Sequence, residues 1–220
     1  MKREIIKTAD GSVTIHIPEM KESYHSKFGA IQEAQHVYIQ NGLAMFEGKD
    51  IDILECGFGT GLNAFMTFLE AQKSGQQIKY TGVEAYPVSE EEIAQLNYVN
   101  ELQAHNCKDF FVKMHTAPWG DEVKVSANFT LTKRQQHFQE IEDVNLYDLV
   151  YYDAFGYHAQ PELWGEDIFR LMYTALKPNG VLITYACRTV IKNAMTAAGF
   201  TVKKLAGPPG KREILQAIKY

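Results

Sequence analysis

Ile51-Asp52-Ile53-Leu54-Glu55-Cys56-Gly57-Phe58-Gly59-Thr60-Gly61-Leu62-Asn63 is the stretch that decides the fold. Residues 51–55 form a short apolar strand, the glycines a tight turn, and residues 62–73 have helical spacing. Glycine at every second position permits positive φ and lets a ligand lie against bare backbone. A second strand, residues 78–84, ends on Glu84, where a carboxylate can accept from both hydroxyls of a ribose. That pair alone leaves NAD, FAD and S-adenosylmethionine open. Two details separate them. The spacing is G-x-G-x-G, not the G-x-G-x-x-G whose helix amides receive a pyrophosphate. Glu55 also opens the loop, where a carboxylate repels phosphate but suits the amino group of S-adenosylmethionine. Phe58, Thr60 and Ala85, which flank these positions, are candidate contacts to the same cofactor.

Working outward, residues 5–17 read as two short strands around Asp10-Gly11, a dipeptide that favours a hairpin turn. Residues 30–40 have amphipathic helical spacing. Residues 89–104 are expected to be helical, with Ser89 and Glu92 spaced as a capping box. Further strands are predicted at 123–131, 147–152 and 181–186, and helices at 134–141, 166–176 and 190–198, with Lys177-Pro178-Asn179-Gly180 closing the second of these. Residues 201–205 and 213–218 flank Gly207-Pro208-Pro209-Gly210 as a closing hairpin. Strand–helix alternation with short connections implies a mostly parallel sheet with helices on both faces, and the terminal pair must be antiparallel. The expectation is an α/β, Rossmann-like class I methyltransferase fold with a seven-stranded sheet. Residues 1–48 would form a hairpin-and-helix extension packed on a core domain of residues 49–220.

Tyr151-Tyr152-Asp153-Ala154-Phe155-Gly156-Tyr157-His158 follows the fourth strand of that alternation. In a doubly wound sheet its end lies beside the glycine turn, over one crevice. Asp153 is therefore the candidate catalytic carboxylate, facing the methyl donor. Phe155, Tyr157 and Trp164 offer flat faces for a planar base.

The chain has 220 residues, 45% hydrophobic and 22% charged, the mix of a soluble globular protein. Three cysteines, far apart, exclude a disulfide scaffold and a four-thiolate zinc site, and reduced thiols in a cytoplasm are expected. Histidine spacing suggests no metal. No run suits a signal peptide or a bilayer span. Net charge is −5, yet residues 181–220 carry seven basic residues, Arg188, Lys211 and Arg212 among them, against one acid. Such asymmetry fits a polyanionic partner if folding gathers the cations, and an ordinary solvated face if it does not.

With these residues assembled, the sequence resembles the methyltransferase component of the MnmC family, which acts on tRNA wobble uridine. The resemblance rests on Ser26-Lys27-Phe28-Gly29-Ala30-Ile31-Gln32-Glu33, on Glu55 through Asn63, and on Val83-Glu84-Ala85-Tyr86-Pro87. Asp153-Ala154-Phe155 with Pro161-Glu162-Leu163-Trp164, Gly180 through Tyr185, and Gly210-Lys211-Arg212-Glu213 complete it. It implies methyl transfer from S-adenosylmethionine to the amine of 5-aminomethyl(-2-thio)uridine, in the anticodon loop. Glu55, Gly57, Gly59, Gly61, Asn63 and Glu84 would hold the cofactor, and Asp153 would sit at the amine, itself close to the methyl donor. Tyr185 and Arg188 would line the substrate side, and Lys211 and Arg212 would face the tRNA. Gly156-Tyr157 replaces the family's Ala-Pro, and no Gly-Asp near residues 131–134 marks the adenine edge. The family's oxidoreductase half is absent from these 220 residues. A stand-alone, monomeric enzyme is expected, with a separate FAD-dependent oxidoreductase supplying its substrate. A small-molecule methyltransferase, an aminopropyltransferase or a non-catalytic tRNA-binding subunit are the alternatives.

Overall fold

The computed structural model describes residues 2–220; Met1, the first residue of the expected extension, lies outside them. Strands β1 (Glu4–Lys7), β2 (Val13–Ile17) and β3 (Glu22–Ser23) form a small antiparallel sheet. Its first turn is built at Asp10-Gly11, where Asp10 Oδ1 accepts from the Ser12 N–H at 3.1 Å. Helix α1 (Ala30–Ala34) runs on into a wider π-helical segment, Gln35–Gln40, and together they bury Ala30, Ala34, Val37 and Tyr38.

The core follows as β4 (Ile51–Cys56), α2 (Leu62–Ser74), β5 (Ile78–Val83), α3 (Glu90–Ile93), α4 (Tyr98–Glu101) and α5 (Lys108–Thr116). It continues with β6 (Glu122–Ser126), β7 (Phe129–Arg134), β8 (Tyr147–Tyr152), α6 (Glu166–Ala175) and β9 (Leu176–Thr184). Helix α7 (Thr189–Ala197) and strands β10 (Thr201–Ala206) and β11 (Glu213–Ile218) close the chain. The sheet order is β10-β11-β9-β8-β4-β5-β7-β6. Strands β4, β5, β7, β8 and β9 are parallel, and β6, β10 and β11 antiparallel to their neighbours. The central strands β4 and β8 are near-continuous apolar runs because helices cover both faces. The outer strand β10 has no buried residue and exposes Lys203 and Lys204, charges that guard a sheet edge.

The Rossmann-like methyltransferase fold stands as expected, with four local corrections. The sheet has eight strands, not seven, because residues 123–131 turn back at Asn128. Its side-chain amide donates to the carbonyls of Ala71 and Gln76 and pins the turn between β6 and β7. The 89–104 helix is broken into α3 and α4. The Ser89–Glu92 capping box forms, but Asn97 is drawn to the N-terminal hairpin, accepting from Val13 N–H and donating to Gly11 O. Residues 134–141 are no helix beyond one 3-10 turn, Phe138–Glu140, and an Arg134–Asp143 ion pair at 2.6 Å spans them. Lys177–Gly180 belongs to β9 as a bulge: Tyr147 pairs with Leu176, but Leu149 with Val181.

Candidate active site

The pairings Cys56–Tyr152 and Cys56–Val83 bring the carboxyl ends of three adjacent strands level. The glycine turn, Asp153 and Glu84 thus emerge at one edge, at the point where the order of the parallel strands reverses. The Gly57 and Phe58 N–H groups both donate to Val83 O, which ties the turn to β5. Gly57 has φ +95°, and a Cβ there would lie 2.5 Å from the Asp153 carbonyl oxygen, so only glycine fits.

Two cavities open along this edge. The first, of about 240 Å³, is lined by Gly57, Gly59, Thr60, Asn63 and Glu84 on one side and by His137, Phe138 and Gln139 on the other. The second, of about 560 Å³, is lined by Tyr157, Tyr185, Arg188, Lys211 and Arg212, with Glu22 and Glu33 from the N-terminal segment. Five residues belong to both: Tyr24, His25, Asp153, Ala154 and Phe155. Asp153 stands in the wall where the two meet.

Glu84 is held facing the first cavity. Its Oε2 accepts from Gly59 N–H at 3.0 Å and its Oε1 from Tyr86 N–H at 2.9 Å. Asn63, in the first turn of α2, donates from one amide nitrogen to Glu55 Oε1 and to Asp153 Oδ2, each at 2.9 Å. Glu55 is 1% exposed and does not line the first cavity; it lies behind Asn63. Burial pushes its carboxyl well above the usual carboxylate range, and the Asn63 amide opposes that shift. Burial likewise pushes Asp153 up to about 7, although it keeps some access to solvent. Glu33 adds to that rise, and Asn63 and the Lys211 ammonium oppose it.

These residues fit an S-adenosylmethionine molecule. The turn is bare at Gly57 and Gly59, and a fixed carboxylate, Glu84, waits at the next strand. Asn63 Oδ1, on the wall of the first cavity, is a buried acceptor without a donor among the described residues, a polarity that an ammonium group would satisfy. Tyr86 and residues 137–139, which the sequence did not single out as site residues, also line the first cavity, with the Tyr86 and His137 rings 5.8 Å apart.

The expected substrate residues divide. Phe155, Tyr157, Tyr185, Arg188, Lys211 and Arg212 converge on the second cavity. Trp164 does not: it is 1% exposed, lines neither cavity, and donates from Nε1 to Phe155 O at 2.8 Å. It is a core residue because the 3-10 turn Pro161–Trp164 points the indole inward against Tyr152 and Phe169. Lys211 is no free cation either. Its Nζ is bonded to Glu33 and sits 3.8 Å from the Tyr185 ring centroid. Tyr24 and His25 were missed by sequence reasoning, since only the packing of β3 beside residues 153–158 brings them to the crevice. Tyr24 packs edge-on against Phe155 at 5.1 Å, and Glu22 Oε1 accepts from Gly156 N–H at 3.2 Å.

Comparisons with known proteins agree with this geometry. The chain is 27% identical over 88% of its length to the tRNA 5-methylaminomethyl-2-thiouridine biosynthesis bifunctional protein MnmC of Campylobacter fetus. It is 29% identical over 88% of its length to the protein of that name from Nitrosospira multiformis. It spans about a third of the length of these curated relatives, 34% and 33%. Among solved structures, MNMC2 from Aquifex aeolicus superposes with a TM-score of 0.72 at 24% identity, over 98% of this chain and 70% of that one. A spermidine synthase in complex with a transition-state analogue gives 0.61 at 13% identity, over 99% and 70%. Residues 97–220 match the model of a family described as S-adenosyl-L-methionine-dependent methyltransferase. That match spans more than half of the chain, and the chain belongs to the S-adenosyl-L-methionine-dependent methyltransferase family.

Proposed function

We propose that this protein methylates the exocyclic amine of 5-aminomethyl(-2-thio)uridine at the tRNA wobble position, giving the methylaminomethyl nucleoside. The observation that carries the reading is the position of Asp153 in the wall shared by the two cavities. A carboxylate there reaches a donor on one side and an acceptor on the other. The reaction named for the bifunctional MnmC relatives supplies the substrate class.

When bound, S-adenosylmethionine supplies a methyl group already activated by a sulfonium. The protein's tasks are then alignment and proton removal. Alignment supplies much of the acceleration when the reacting atoms are held at the contact distance. An alkyl amine near neutral pH is largely ammonium and has no lone pair. Asp153 orients that nitrogen and takes up its proton, and its raised pKa suits it to the task near pH 7. Asn63 fixes the carboxylate from behind. Phe155 and Tyr157 offer aromatic faces to the base, and Glu55, Gly57, Phe58, Gly59, Thr60, Gly61, Asn63, Glu84 and Ala85 form the cofactor side. In this reading residues 1–48 are an extension that closes the acceptor cavity, and residues 49–220 are the methyltransferase domain. The aminomethyl group would come from a separate FAD-dependent oxidoreductase, in the cytoplasm. No helix of the described residues is long and apolar enough to cross a membrane.

The test is incubation with labelled S-adenosylmethionine and tRNA from a strain lacking this gene, then digestion and identification of the labelled nucleoside. Label in methylaminomethyluridine is the expected result. Unlabelled tRNA, with S-adenosylmethionine still bound, overturns the substrate assignment and leaves the family standing.

A further inference from the structure

The acceptor cavity has acids within and cations at its rim. Glu22, Glu33 and Asp153 line it, and so do Lys21, Lys27, Arg188 and Arg212. Among the described residues none of these four cations is ion-paired. Lys204 and Lys211 of the terminal hairpin, by contrast, are bonded to Glu213 and Glu33. Lys21, Lys27, Arg188 and Arg212 are all exposed. They come from opposite ends of the chain. Lys21 and Lys27 flank β3, whereas Arg188 precedes α7 and Arg212 lies in the turn between β10 and β11.

The two flanks are tied together by one carboxylate. Glu33, 9% exposed, accepts from Ser26 N–H at 3.0 Å through Oε2 and from Lys211 Nζ through Oε1. Ser26 adjoins Lys27, and Lys211 adjoins Arg212, so this bridge fixes the separation of the two cationic flanks. Lys21 adds a further sign. It holds a left-handed backbone, φ 55° and ψ 29°, with its N–H bonded to Pro18 O at 3.1 Å. Glycine would adopt that conformation without strain; what lysine adds is its ammonium. Arg188 is already oriented, its guanidinium 5.3 Å from the Tyr157 ring centroid.

An acidic interior behind a cationic rim suits a ligand that carries an amine at its tip and negative charge on both sides of it. A free small amine would meet repulsion at that rim. A nucleotide within a polynucleotide has this polarity, with its base turned inward and its phosphates left outside. We propose that Lys21 and Lys27 on one side, and Arg188 and Arg212 on the other, form a two-sided clamp on the phosphodiester backbone flanking the methylated nucleotide of a single-stranded RNA loop. The proposal rests on the reading of the substrate as an RNA nucleotide, and it assigns half of the RNA-binding charge to the N-terminal segment.

The clamp is tested by binding alone, with an unmodified anticodon stem-loop RNA that offers no methylatable amine, across about 50 to 200 mM salt. Three double variants are compared with the wild type: Lys21→Gln/Lys27→Gln, Arg188→Gln/Arg212→Gln, and the charge-matched control Lys79→Gln/Lys108→Gln, whose residues line neither cavity. Each clamp pair is expected to weaken RNA binding about 10-fold and flatten the slope of log Kd against log salt by about 1.4. The control should change affinity less than about 2-fold, and S-adenosylmethionine affinity should hold in all three. Lys21→Gly, which relaxes the backbone while deleting the charge, should weaken binding as much as Lys21→Gln and so excludes misfolding as the cause. An N-terminal pair that behaves like the control overturns the clamp and leaves RNA methylation standing. A wild type without salt-dependent RNA binding overturns both.

Discussion

Asn63 donates to Asp153 at 2.9 Å from the same amide nitrogen that donates to Glu55 at 2.9 Å. One side chain in the first turn of α2 therefore holds together a carboxylate near the end of β4 and the one that follows β8. Two largely desolvated acids beside each other cannot both ionise cheaply, and the amide between them is a neutral donor that they share.

Asp153 works against the stability of the fold. Its folded pKa is raised from about 4 to about 7, so the native state binds more protons than the unfolded chain in that window. Stability due to this group falls as pH rises from about 4 to about 7 and stays low above it. Asp153→Asn keeps an acceptor for the Asn63 amide and removes the charge. Melting at pH 8 should show a gain of about 1–2 kcal/mol, discounted for the residue's solvent access, while turnover falls about 10²-fold or more. S-adenosylmethionine affinity should be nearly unchanged. Full activity in this variant would remove Asp153 from the mechanism.

Glu33 and Lys211 bias Asp153 in opposite directions, the acid raising its pKa and the ammonium lowering it. The acid limb of single-turnover rate against pH should then move up in Lys211→Met and down in Glu33→Gln. Removing either partner also leaves a largely buried group unpaired, so both variants should melt earlier. A purely structural ion pair would lower both melting points and leave the limb in place.

Cofactor binding should release a proton. Burial holds the Glu55 carboxyl well above the ordinary range, and an ammonium bound in the first cavity, on the far side of Asn63, would stabilise the charged form. S-adenosylmethionine affinity is therefore expected to rise with pH. Calorimetry in buffers of different ionisation enthalpy counts the protons, with Asp153→Asn as the background that removes the acid bonded to the same Asn63 amide. If Glu55→Gln releases as many protons as its parent, Glu55 is not the source.

Trp164 acts through packing. Trp164→Phe deletes the Nε1–H bond to Phe155 O, and the part-buried carbonyl loses that donor. The expected cost is about 1–2 kcal/mol, or roughly 2–8 °C in melting temperature. RNA affinity should fall far less than in Phe155→Ala, because the indole never meets the substrate. Equal losses in the two variants would return Trp164 to the binding surface.

The sequence alone determined what is local. Strand β4, the glycine turn and the start of α2 are contiguous, and their apolar run and glycine spacing encode a strand, a positive-φ turn and a helix without outside help. Glu84 and Asp153 could be found because each follows the end of an apolar strand, and parallel strands bring such ends to one edge. Tertiary structure decided the rest. Residues 123–131 became a hairpin and 89–104 broke because Asn128 and Asn97 bond carbonyls and amides far along the chain. Trp164 reads as a stacking platform in sequence, yet folds inward. Lys211 reads as a phosphate contact, yet Glu33, 178 residues away, holds it. Lys21 and Lys27 carry no local pattern that separates them from solvated lysines. A side chain's partner across the fold depends on which elements pack together, and helical or strand periodicity holds no record of that.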